Sequence, residues 1–114
     1  MITHENKWIN LRRSESLYRD WVGPKHHFDV SAIMQFFLGI YLGLNENHKM
    51  LDIGCGSLRS GRLFIPFLKK NNYYGIEPEK WVVEEAIKND LGVDTMRIKN
   101  PHISNAKKIN PKEF

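Results

Sequence analysis

A chain of 114 residues with 41% hydrophobic and 26% charged side chains has the size and make-up of a single ordinary soluble domain with a modest core. Its net charge is +4, but the Lys and Arg residues are scattered and the pairs Arg12-Arg13, Lys69-Lys70 and Lys107-Lys108 are isolated, which argues against the clustered basic face of a nucleic-acid binder. The most apolar stretch, Ala32 to Leu44, is shorter than the about 20 residues of a membrane span, while the single cysteine, Cys55, excludes an intramolecular disulfide and fits a reducing, cytoplasmic setting.

Residues 1–13 carry no periodicity and no secretory signal. Ser14 is placed to cap a short helix reaching about Val22, with Gly23-Pro24 as its stop. Lys25-His26-His27 reads as a polar connector, because adjacent histidines share a metal poorly and no third ligand is suitably spaced. No metal site is expected. Ile33, Phe36, Phe37, Ile40, Tyr41 and Leu44 then repeat at helical spacing behind a cap at Asp29 or Ser31. That broad apolar stripe predicts a core helix packed on a sheet, with Gln35 as its polar exception.

Met50 to Ile53 is a short apolar run, the first expected strand, and it opens on the glycine-rich turn Gly54-Cys55-Gly56-Ser57. A helix follows from Arg62, and Pro66 should kink it or end it early. Asn71-Asn72 makes the return turn, Tyr73 to Glu77 the second strand, and Glu79 to Asn89 the next helix, in which Trp81 reads as core. Thr95 to Ile98 is the expected third strand, and from Lys99 the chain reads as a polar connection. The organisation is thus one domain over 1–114: helices in 1–45, a βαβαβ unit in 50–98 and a tail in 99–114.

The loop decides the ligand class. Glycines at 54 and 56 let the backbone turn sharply and approach a ligand closely. A dinucleotide fingerprint needs a third glycine where Arg59 stands, and a P-loop needs a Gly-Lys-Ser/Thr ending that is absent. Asp52 before the first glycine would repel a pyrophosphate but suits an amine and a sulfonium. Glu77, at the end of the second strand, is placed to accept hydrogen bonds from a ribose diol. Cys55 lacks a neighbouring base or a second cysteine, so a nucleophilic role is not expected.

Leu51-Asp52-Ile53-Gly54-Cys55-Gly56 followed by Gly75-Ile76-Glu77-Pro78 resembles the first two motifs of the class I S-adenosylmethionine-dependent methyltransferases. The resemblance covers about residues 50–89. It implies an α/β, Rossmann-like doubly wound parallel sheet, here partial (β-α-β-α-β) with N-terminal helices, and S-adenosylmethionine as cofactor. It also implies that Asp52 lies near the methionine amine and that Gly54 and Gly56 line the methionine and ribose. Cys55, with Ser57 in the same loop, would offer contacts to the cofactor, Glu77 would hold the ribose hydroxyls, and Ile76 and Pro78 would flank the adenine. Leu58 stands where the family commonly has a further glycine, and only Asp94 offers an acid after the third strand. In such enzymes catalytic and acceptor-binding residues follow a fourth strand, so no catalytic residue and no methyl acceptor can be named. The expected reading is the cofactor-binding part of a methyltransferase, truncated or split, whose first strand seeks a second chain to complete the sheet. The alternative is a non-catalytic module that pairs with a second chain. A nicotinamide-dependent oxidoreductase is the weaker rival and would require tighter binding of NAD than of S-adenosylmethionine.

Overall fold

The computed structural model describes residues 18–21, 23 and 25–113. Residues 1–13 and the expected cap at Ser14 lie outside them. Within the described residues the chain is α/β, with a three-stranded parallel sheet in the order β1-β2-β3. The strands are β1 (Met50–Ile53), β2 (Tyr73–Ile76) and β3 (His102–Ser104), with Asp52 opposite Gly75 and Gly75 opposite Ile103. Before them come α1 (Tyr18–Asp20) and α2 (Phe28–Tyr41); between them run α3 (Gly61–Phe67), α4 (Lys80–Ala86) and α5 (Val93–Lys99). A π-turn, Ile87–Leu91, continues α4. As Pro66 predicts, α3 stops early, at Phe67, and Leu68 is already extended.

The third strand lies further along than the sequence pattern indicates. Residues 95–98 are helical, and the strand falls at His102–Ser104, inside the stretch read as a tail. The signals for helix are local: Asp94 in the first turn, Arg97 and Lys99 in the last, and left-handed Asn100 (φ 45°) before Pro101 as the stop.

Tyr73 and Ile103 point to one sheet face, where α3, α4 and α5 pack around Leu58, Phe64, Ile65, Leu68, Val82 and Ala86. Alternation sends Leu51, Ile53 and Tyr74 to the other face. There Leu51 and Ile53 remain 41% and 61% exposed, and Tyr74 stacks on His102 at 4.9 Å. Met50 N–H donates to Asn72 O and Gly54 N–H to Ile76 O. Alternate residues of β1 therefore bond to β2, and Leu51 and Ile53 turn their N–H and C=O groups to the edge of the sheet, where no strand among the described residues pairs with them.

Helix α2 also departs from expectation. It buries Phe28 and Ala32 and rests Phe36 on Phe64 and Phe67 (ring centroids 5.2 and 5.4 Å apart), against α3 and not the sheet. Ile33, Met34, Phe37, Leu38 and Tyr41 stay exposed, Tyr41 at 87%. A stripe wider than the face it lays on α3 leaves apolar side chains exposed among the described residues. The expected caps are not used: His27 starts the helix without a side-chain cap, and Asp29 pairs with Arg62 of α3. The Arg62 and Arg19 guanidiniums lie over the Phe28 ring at 4.6 and 4.4 Å, and Arg19 also bonds Asp90 of the π-turn, which accepts from Tyr18 too. These contacts seat the N-terminal helices on the rest of the domain.

Leu58 has a left-handed backbone (φ 56°) and a fully buried side chain. Left-handed geometry costs a residue with a Cβ about 1–2 kcal/mol, less than the cavity that removing a buried Leu leaves. Leu58→Gly should therefore lower stability by about 2–3 kcal/mol in urea denaturation; a gain would show that strain outweighs packing here.

Candidate functional site

The loop 54–57 leaves the carboxyl end of β1 beside the carboxyl end of β2, the edge at which parallel α/β sheets hold ligands. Gly54 and Gly56 have φ of 72° and 55°, values that a residue without Cβ adopts freely. The N–H groups of Gly54 and Cys55 both donate to Ile76 O, at 2.8 and 3.0 Å, which fastens the loop to β2. An added Cβ at Gly54 would meet nothing within 4 Å, so open space lies against the loop there. Gly75 is tight by contrast: a Cβ there would stand 2.9 Å from Cys55 Sγ. Ser57 is fully buried, and its Oγ has no hydrogen-bond partner among the described residues. Leu58, where the resemblance leads one to expect glycine, keeps the left-handed turn that a glycine would make.

The two candidate carboxylates are held differently. Asp52 Oδ2 accepts the Tyr73 hydroxyl at 2.7 Å, and burial raises its pKa while Tyr73 and Arg59 favour the charged form. Glu77 is 9% exposed; its backbone N–H donates to Ser104 O at 2.9 Å, and its Oε1 accepts Trp21 Nε1–H at 3.3 Å. Trp21 meets Trp81 edge-on at 5.8 Å. Cys55 lies within electrostatic reach of both acids. Burial first, then Asp52 and Glu77, push its thiol up to about 12.

Asp52, Gly54 and Cys55 share a polar cavity of about 150 Å³ with Gln35, Arg59 and Ser60. Glu77 lies at a second hollow of about 310 Å³, bounded by Lys80, Val83, Met96, Ile103 and Asn105. Gln35, singled out by its polarity in an apolar helix, thus reaches the loop. Arg59, Trp21 and Asn105 escaped the sequence reading. Arg59 was visible there only as a missing glycine, Trp21 comes from a distant segment, and Asn105 follows a strand whose place was misjudged. Asp94 sits in α5, so the position after the third strand belongs to Asn105. Ile76 is buried at the end of β2 and Pro78 is exposed just beyond it.

The chain matches no family model, no curated protein and no solved structure. Among the described residues, no helix is long and apolar enough to cross a membrane, and no His/Cys/Asp/Glu group could hold a metal.

A thiol raised to about 12 from an ordinary 9.0 has roughly a thousandfold less thiolate at pH 8. Alkylation of Cys55 by iodoacetamide should be slower by about that factor in the native chain than in denaturant. Because the folded pKa is the higher one, stability from this thiol is intact below about pH 9 and falls as pH climbs towards about 12. Rapid native labelling at pH 8 would contradict this picture.

Proposed function

We propose that this chain is the S-adenosylmethionine-binding portion of a class I methyltransferase, with its three strands forming part of a Rossmann-like doubly wound sheet. One observation carries the reading. A loop with two left-handed glycines and a nearly buried carboxylate, Glu77, lie side by side at the carboxyl ends of adjacent parallel strands. The open space at Gly54 and the unpartnered Ser57 hydroxyl suit a polar ligand lying against the loop.

In this reading Glu77 accepts the two ribose hydroxyls through carboxylate lone pairs that Trp21 leaves available, and the Trp21 hydrogen bond holds it in place. Asp52, steadied by Tyr73, accepts from the methionine ammonium. Ile76 and Pro78 border the adenine, and Asn105, which shares a hollow with Glu77, stands just after the third strand, where Asp94 had been the expected acid. When bound, the cofactor supplies a methyl group on a cationic sulfur that a nucleophile attacks directly. The protein's task is to hold the two in line. The high thiol pKa of Cys55 keeps it neutral beside the sulfonium.

A second reading, a module that pairs with another chain, is favoured by the open edge of β1 and by exposed Leu51 and Ile53 on a parallel sheet. The two readings are compatible, since a chain completing the sheet at β1 would also cover the site.

Calorimetric titration with S-adenosylhomocysteine tests the main reading. Wild-type binding in the micromolar range should weaken at least about tenfold in Glu77→Ala through loss of charge-assisted hydrogen bonds. Trp21→Phe should weaken it less. Binding that ignores Glu77, or a clear preference for NAD, would refute the assignment.

A further inference from the structure

We propose that the outward side of α2 is a dimer interface, on which a second copy of this chain lays its own α2 in antiparallel fashion.

Helix α2 is apolar on two opposite sides. One side, with Phe28, Ala32 and Phe36, is turned into the domain, and Gly39 lets it approach so closely that an added Cβ would stand 3.1 Å from Phe64. That contact fixes the rotation of the helix. At about 100° per residue the opposite side carries Val30, Met34, Phe37 and Tyr41. These four are between 59% and 87% exposed among the described residues, and exposed Ile33 and Leu38 flank them. No residue from Val30 to Leu44 is charged. A copy can therefore dock on itself without bringing like charges together.

The spacing selects the occupant. Val30, Met34, Phe37 and Tyr41 follow one another by four, three and four residues, the seam with which one helix receives another. A strand alternates at every second residue and does not keep step with it. Helices α3, α4 and α5 have 7 residues each and α2 has 14, so the helix of matching length and seam is the α2 of another copy. A two-fold axis between Met34 and Phe37 sets Val30 opposite the partner's Tyr41 and Met34 opposite the partner's Phe37. Small then meets large, and a thioether meets a ring. The antiparallel arrangement also opposes the two helix dipoles.

The area suffices for a weak dimer. With roughly 150–250 Å² for an aromatic side chain and less for Met and Val, the seam offers on the order of 600 Å² per copy, about 1,200 Å² in a pair, the lower end of a specific interface.

Sedimentation velocity of the full chain over about 1–200 μM tests this, with a dimer expected at a Kd of tens of micromolar on an interface of about that size. Phe37→Glu and Met34→Lys should each weaken self-association at least about tenfold while far-UV circular dichroism and the thermal midpoint stay as in wild type. Mixed in equal amounts, the two variants should regain association, because an antiparallel pair sets position 34 of one copy against position 37 of the other; failure to regain it overturns the antiparallel arrangement. Ile53→Lys, at the edge of β1, should leave association unchanged. A chain that stays monomeric over the whole range overturns the dimer and assigns the stripe to residues 1–17 of the same chain or to a different protein. Association that survives both α2 variants, or that Ile53→Lys abolishes, overturns it as well and assigns assembly to the sheet edge. Dimerisation requires no nucleoside, so these outcomes are independent of S-adenosylhomocysteine binding.

Discussion

Parallel strands are joined by right-handed crossovers, and when each new strand adds on the same side of the last, every crossover helix lands on one face of the sheet. That constraint governs this molecule. The order β1-β2-β3 never reverses, so α3, α4 and α5 share a face and build one core on Tyr73, while Leu51 and Ile53 look out from the other. The strand order leaves β1 at the edge of the sheet among the described residues, and its parallel pairing brings the carboxyl ends of β1 and β2 together. The glycine loop and Glu77 are neighbours for that reason, although 20 or more residues separate them along the chain.

The loop shows how packing and ligand geometry are joined. Gly54, Gly56 and Leu58 alternate in left-handed conformation, which turns the chain within a few residues from β1 towards α3. Leu58 tolerates this because its side chain fills the core; Ser57 is carried inward with it, and Arg59 emerges beside Asp52. Burial thus sets the aim of a charged residue that the glycine pattern does not mention. Tyr73 acts similarly, filling the core with its ring and holding Asp52 with its hydroxyl.

Much of the fold was legible in the sequence, and the errors have physical causes. Met50–Ile53 announces itself as a strand because an apolar run meets a glycine turn, and Pro66 keeps α3 short because it cannot donate the helical bond to Arg62 O. Residues 95–98 misled because a short apolar–polar alternation fits strand and amphipathic helix alike, while the capping signals around Gly92 and Asn100 were the better guide. The apolar stripe of α2 correctly indicated a helix but not its surroundings. Periodicity reports that a face is apolar, not whether another element lies against it.

By itself the sequence determined what is local: an α/β order of elements, a glycine loop after β1, an acid after β2, and the absence of dinucleotide and P-loop patterns. Turn chemistry and side-chain periodicity act over a few residues and are written in neighbouring letters. Only the tertiary structure decided which segments meet: Trp21 on Glu77, Gln35 and Arg59 beside Asp52, Asn105 after the third strand, and an α2 whose Met34, Phe37 and Tyr41 stay exposed among the described residues. Those contacts follow from strand order, crossover handedness and the fit of α2 against Phe64, none of which any short stretch of sequence contains.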